Sequence, residues 1–67
     1  MATIGENIRR ERKKKNITQK ELGEKVGISN TYLSDMEIGR TNPSIKTLRK
    51  IAQGLDIHYI ELLKDTE

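Results

Sequence analysis

The apolar residues of this chain recur at intervals of three and four positions, which is the period of an α-helix packed on one side. Leu22 and Val26 are four residues apart, and Leu33 and Met36 are three residues apart. No stretch shows the sustained alternation of apolar and polar residues that is typical of a strand. The pattern therefore predicts an all-α fold, a bundle in which short helices pack around one core.

The capping residues divide the chain into five predicted helices. Thr3 and Thr18 each precede a glutamate by three positions, which is the spacing of a capping box. Ser29, Ser44 and Asp56 are the expected N-caps of the other three helices. The segments are expected at about 4–15, 19–26, 30–37, 45–53 and 57–63. The residues expected to end the first four are Asn16, Gly27, Gly39 and Gly54.

Two glycines distinguish the sequence of residues 19–38 from that of an ordinary helical hairpin. Gly27 falls where two helices that meet at a steep angle need a left-handed residue. Gly23 falls where the third helix is expected to cross closely over the second, with no room for a large side chain. A simple hairpin needs the apolar residues but not both glycines. The spacing therefore favours a helix-turn-helix motif over residues 19–38.

Length and composition exclude several classes of protein. The chain has 67 residues, which allows one small domain, expected over 1–67 with a core at about 8–63. It has no cysteine and one histidine, so we expect no disulfide, no metal site and no cofactor. No apolar run approaches the ~20 residues that span a bilayer, so we expect no membrane partner and a cytoplasmic location. Because His58 has only Asp56 as a nearby acid, we expect neither an enzyme nor a small-molecule substrate.

The charges are distributed unevenly along the chain. Residues 1–20 hold seven basic and two acidic side chains, a local charge of +5, whereas residues 56–67 have a local charge of −3. The whole chain has a formal charge of +3. One end can therefore face a polyanion while the other cannot. The alternative interpretation is that the basic run is a solvated helix end, which also suits the helix dipole.

The segment TQKELGEKVGISNTYLSDMEIG resembles the helix-turn-helix of the lambdoid phage repressor and Cro family, also called XRE-type. The similarity continues through TNPSIKTLRKIAQGLDI and covers about residues 4–63. The TYLS and TNPSI stretches are particularly similar to SinR-type repressors. The resemblance implies a five-helix DNA-binding domain of the phage-repressor type. It also implies sequence-specific binding of double-stranded DNA, dimerisation on a near-palindromic operator, and regulation of transcription.

In this family the third helix lies in the major groove, with its N-terminal part against the base edges. If Leu33 and Met36 face inward, four polar residues of that helix face outward: Asn30, Thr31, Ser34 and Asp35. Asn30 is expected to pair with adenine, Thr31 to contact a base or a thymine methyl group, and Asp35 to accept from cytosine N4. The alternative is that these residues form only a solvated helix face.

The resemblance also suggests phosphate contacts. Gln19 opens the second helix and occupies a position that contacts phosphate in the family. Ser29 is expected to be both a cap and a phosphate donor, and Arg40 follows the third helix beside the same backbone. Tyr32 stands where its hydroxyl can reach phosphate, although partial burial is nearly as plausible. We therefore expect phosphate contacts from Gln19, Ser29 and Arg40, and from Tyr32 if its ring is not buried.

Two further expectations concern the interior and the oligomer. Arg12 and Glu37 match family positions whose ion pair ties the first helix to the third. The last predicted helix carries apolar residues around more than half its circumference, although one-sided burial needs only a ~100° stripe. We therefore expect a C2 homodimer with Tyr59 at or near the interface and His58 exposed close by. Such a dimer would place its two third helices about 34 Å apart.

Two functions from different classes fit the sequence. The first is a sequence-specific DNA-binding regulator, most simply a dimeric repressor. The second is a protein-interaction module on the same scaffold, such as an antitoxin-like partner whose DNA binding is secondary. The positive net charge and the polar outer face of the third helix favour the first. Salt-dependent binding of random duplex DNA distinguishes the two.

Overall fold

The computed structural model describes residues 2–66, in which four α-helices and one 3-10 helix surround a single core. The elements are α1 (Ile4–Lys14), α2 (Gln19–Val26), α3 (Asn30–Glu37), α4 (Ile45–Gly54) and the 3-10 helix (Tyr59–Leu62). No strand occurs within residues 2–66. The all-α prediction is confirmed, but the fifth element is one 3-10 turn rather than an α-helix.

The predicted caps of the first four helices are confirmed. The Thr3 hydroxyl accepts from the Glu6 N–H at 3.0 Å, and the Glu6 carboxylate accepts from the Thr3 N–H at 2.9 Å. Thr18 and Glu21 form the same box, at 3.0 and 2.8 Å. The Ser29 and Ser44 hydroxyls cap α3 and α4. The residues predicted to end the first three helices are left-handed: Asn16 with φ 58°, Gly27 with φ 75° and Gly39 with φ 86°.

Two predictions for the C-terminal third are wrong. Gly54 does not end α4 from outside; it is the last residue of that helix, and a Cβ atom there would overlap the Val26 side chain. Asp56 does not cap the last helix, because it has φ 58° and itself makes the left-handed turn after α4. The cap is His58, whose Nδ1 accepts from the Ile60 N–H at 3.2 Å.

The core draws residues from every helix. Its fully buried apolar side chains are Ile8, Leu22, Leu33, Met36, Leu48, Ile51, Ala52, Leu55 and Leu62. Gly23 permits a close approach, but not the predicted one of α3, because a Cβ atom there would lie 2.5 Å from the Ile28 carbonyl oxygen. The obstacle is therefore the turn before α3 rather than α3 itself. The buried Asn7 amide donates to the carbonyl oxygens of Leu62 at 3.0 Å and Lys64 at 2.8 Å, which ties α1 to the end of the fold.

Candidate nucleic-acid interface

The outward face of α3 is polar and is most exposed in its first turn. Leu33 and Met36, the two apolar residues predicted to point inward, are 0% and 1% exposed. The four predicted reading residues are exposed in the first turn and half-buried in the second: Asn30 and Thr31, then Ser34 and Asp35. The first turn therefore presents the side chains that are most accessible to a base edge.

The predicted phosphate donors of α3 lie at both of its ends. The Ser29 hydroxyl accepts from the Tyr32 N–H at 3.0 Å, which leaves its own hydrogen free to donate to a phosphate oxygen. Tyr32 is 37% exposed. Arg40 is exposed beyond the other end, and its N–H donates to the Asp35 carbonyl oxygen at 2.9 Å. Ser29 and Arg40 therefore lie on either side of the reading residues along the chain, whereas Tyr32 lies between them within α3.

The predicted ion pair between α1 and α3 is confirmed. Arg12 Nε lies 2.8 Å from Glu37 Oε2, and Arg12 Nη2 lies 3.0 Å from Glu37 Oε1. The third guanidinium nitrogen, Nη1, donates to the Ile17 carbonyl oxygen at 2.9 Å. The side chains of Arg12 and Glu37 are only 11% and 1% exposed. This bidentate, nearly dry pair fixes α3 against α1, and with it the surface that α3 presents.

Gln19 is held by the same buried carboxylate. Its Nε2 donates to Glu37 Oε1 at 3.1 Å, and the residue is half-buried. One amide hydrogen is therefore committed within the protein, and the second remains for a phosphate oxygen. The backbone N–H of Gln19 lies in the first turn of α2, where a helix offers no carbonyl partner. Gln19 thus has two donors for its predicted phosphate contact: a side-chain amide held by Glu37 of α3 and a backbone N–H placed by the start of α2.

The cap of α2 is itself electrostatically reinforced. The hydrogen bond from the Thr18 backbone N–H, and then that with the Thr18 hydroxyl, lower the pKa of the Glu21 carboxyl. The contribution of the Glu21 carboxylate to the stability of the fold is therefore present at neutral pH and is lost as the pH falls through this lowered pKa. At neutral pH the ionised carboxylate holds the first turn of α2, and so the position of Gln19.

An open groove of about 660 Å³ lies between the end of α1 and the starts of α2 and α3. Its lining residues are Arg12, Lys13, Asn16, Ile17, Thr18, Gln19, Lys20 and Asn30. The fold thus brings Gln19 and Asn30, from different helices, to one surface. Lys13 and Lys20 were not among the predicted site residues. The signal that points to them is the local charge of +5 over residues 1–20.

Within residues 2–66, no group of three or more His, Asp or Glu side chains is arranged to hold a metal ion. Over the same range, no helix has the length and apolar character needed to cross a bilayer.

The short helices α2 and α3 are joined by a left-handed glycine turn, and α3 has a polar first turn. This arrangement defines the class of helix-turn-helix DNA-binding domains. The chain belongs to the helix-turn-helix family, whose model matches residues 8–62. Within that family it is an XRE-type domain, as its similarity to SinR-type and phage repressors shows.

Individual relatives give the same result. The HTH-type transcriptional regulator y4dJ of Sinorhizobium fredii is 41% identical over 64 residues, which cover 96% of this chain and 83% of the relative. SinR of Bacillus subtilis is 41% identical over 63 residues, which cover 92% of this chain but only 57% of SinR. The crystal structure of the P22 c2 repressor with a synthetic operator is 38% identical, with a TM-score of 0.86 over 96% of this chain and 97% of that one.

Proposed function

We propose that this chain is a sequence-specific DNA-binding regulator of transcription that acts as a repressor on a near-palindromic operator. The observation that carries the proposal is the polar, exposed first turn of α3, which is held rigidly by the Ser29 cap and the buried Arg12–Glu37 pair. A rigid support matters because base readout depends on placing donors and acceptors accurately.

The proposed mechanism divides the contacts between reading and positioning. With α3 in the major groove, Asn30 pairs with adenine, and Thr31 contacts the neighbouring base. Asp35 lies one turn further along α3 and is half-buried. Its carboxylate accepts a hydrogen bond from a cytosine amino group in the major groove. Ser29 and Arg40 hold the phosphates at the two ends of α3, with Gln19 and Tyr32 beside them. Phosphate contacts set the register, and base contacts set the sequence.

Selection from a random duplex library, followed by a salt titration of the selected site, tests this function. We expect one enriched motif with two related half-sites, and an affinity that falls linearly with the logarithm of salt concentration. Failure to enrich any motif, together with affinity independent of salt, would contradict the proposal. Stable capture of a protein partner by a chain that shows no sequence preference would instead support the antitoxin-like alternative.

Asn30→Ala is expected to lower the affinity for the selected site by about 1–3 kcal/mol and to change the affinity for random duplex little. The reason is that a base contact adds specificity, whereas non-specific binding rests on phosphates. Fluorescence anisotropy with both duplexes measures the two losses. Equal losses on the selected and the random duplex would show that Asn30 does not read a base.

We further propose that the chain forms a C2 homodimer through the 3-10 helix. Tyr59 is half-buried, its ring stacks on His58 at 5.0 Å between centroids, and the Arg49 guanidinium lies 5.1 Å from its centroid. Ile60 beside it is 52% exposed. A groove of about 240 Å³ adjoins this patch, lined by Arg49, Ala52, Gln53, Ile57, His58 and Tyr59. The exposed Ile60 side chain and the groove suit a symmetric contact, in which the apolar side chain of each copy packs into the groove of the other.

Tyr59→Asp is expected to weaken binding to a full palindromic site while a single half-site is bound as in the wild type. The buried charge would prevent the second copy from docking, and so remove cooperativity. Because Tyr59 also touches the core, Ile60→Asp is the second variant: its side chain is half in solvent, so the fold should not depend on it. Sedimentation that shows a wild-type monomer even on the full site would contradict the dimer.

We infer that the chain binds rather than catalyses. His58, its one histidine, uses Nδ1 to cap the 3-10 helix and is therefore committed to structure. We also propose a cytoplasmic location, because the proposed partner is duplex DNA. We also propose that residues 1–67 form a single domain, because every helix contributes to one core.

A further inference from the structure

We propose that Lys13 and Lys20 each bind a DNA phosphate at the groove between α1, α2 and α3, so that the DNA contact extends from α3 onto α1. This inference rests on the proposed function and deepens it by adding a second contact surface. It gives the basic end of α1 a role in binding, in place of the solvated helix end that its sequence also allowed.

The charges at this groove are unpaired cations. Within residues 2–66, neither Lys13 nor Lys20 has a carboxylate oxygen within ion-pair distance of its ammonium group. Arg12, which also lines the groove, is different because Glu37 neutralises it. Lys14 is different as well, since it lies 3.4 Å from Glu11 Oε2. None of the groove residues is acidic. The net positive charge of the groove therefore comes from two lysines that form no ion pair within residues 2–66.

The position of the groove connects it to base reading. Asn30, the first residue of α3, lines it together with the two lysines. A DNA strand whose base meets Asn30 would therefore bring adjoining phosphates close to the groove. Lysine suits this role because its ammonium group acts as a flexible point charge that follows a phosphate without a fixed geometry. Gln19 lines the same groove and offers a neutral donor to the same backbone.

The test is the salt dependence of binding to random duplex DNA, where base contacts contribute little. Each phosphate contact contributes about 0.9 to the slope of log affinity against log salt. Lys13→Gln and Lys20→Gln are each expected to reduce the slope by about that amount. If the lines for variant and wild type meet at 1 M salt, affinity at 0.1 M should fall roughly eightfold in each variant. Both side chains are on the surface, so melting temperatures should match that of the wild type.

Two control variants remove the same charge elsewhere. Lys15→Gln changes the next basic residue beyond α1 that does not line the groove, and Lys50→Gln changes an exposed residue of α4. Neither should change the slope. An unchanged slope in Lys13→Gln or in Lys20→Gln would overturn the two-lysine site, and so would equal changes in all four variants, since that result reports net charge alone. A wild-type chain whose duplex binding does not depend on salt would overturn the proposed function, and this inference with it.

Discussion

Arg12→Met should destabilise the domain by about 3–5 kcal/mol, because it leaves the Glu37 carboxylate buried without its charge partner. Gln19 would then supply the one remaining side-chain hydrogen bond to that carboxylate among the described residues. The Ile17 carbonyl oxygen would also lose its donor. A chain of 67 residues is expected to have a free energy of unfolding of only about 3–10 kcal/mol. The variant should therefore be marginally folded, as urea denaturation will measure.

A double variant and an exposed pair provide the controls. Changing Arg12 and Glu37 together to methionine should recover much of the lost stability, because no buried charge then remains. Lys64→Met removes the partner of Glu61, at 3.0 Å but with side chains 56% and 40% exposed, and should cost less than about 1 kcal/mol. An Arg12→Met chain that unfolds at the wild-type urea concentration would show that the pair does not stabilise the fold.

Gly5→Ala should destabilise the domain by about 3 kcal/mol and also weaken binding to the selected operator. The added Cβ would overlap the Met36 carbonyl oxygen and lie 2.8 Å from that of Glu37. Both obstacles are backbone atoms of α3, so α1 and α3 must separate. The better helix propensity of alanine, at most about 1 kcal/mol, does not offset this. Thermal denaturation and anisotropy together will measure the two effects.

Gly27→Ala is the matched control for this substitution. It adds the same methyl group where no heavy atom lies within 4 Å, but at φ 75°. Its cost should be only the left-handed backbone strain of about 1–2 kcal/mol. If Gly5→Ala proves no more damaging than Gly27→Ala, then the contact between α1 and α3 is not the close one described above.

Most of the helical frame could be predicted from the sequence because its determinants are local. A capping box satisfies its own orphan N–H groups within four residues, so Thr3 and Thr18 fix the starts of α1 and α2 without help from other helices. A left-handed residue such as Asn16 likewise ends a helix through its own backbone. The inward direction of Leu33 followed from helical periodicity. The Arg12–Glu37 pair came from family resemblance, since 25 residues separate the partners.

The last third of the chain shows the limit of such local signals. Gly54 matches the sequence pattern for the end of a helix, and Asp56 matches the pattern for the start of one. Neither residue has the predicted position in the structure. Gly54 is small because α2 packs against it, and that contact is not visible along the chain. His58 is an unusual cap, and only the path of the chain after α4 places its Nδ1 on the Ile60 N–H.

The sequence by itself determined the first four helices, the glycine turn and the polar face of α3, because these depend on hydrogen bonds and periodicity within a few residues. The tertiary structure alone decided which distant residues meet. It placed Gln19 on the Glu37 carboxylate, Gly5 under the end of α3, and Lys13 in the same groove as Asn30. Such contacts depend on the angles at which helices cross, and those angles are set by the packing of the whole core.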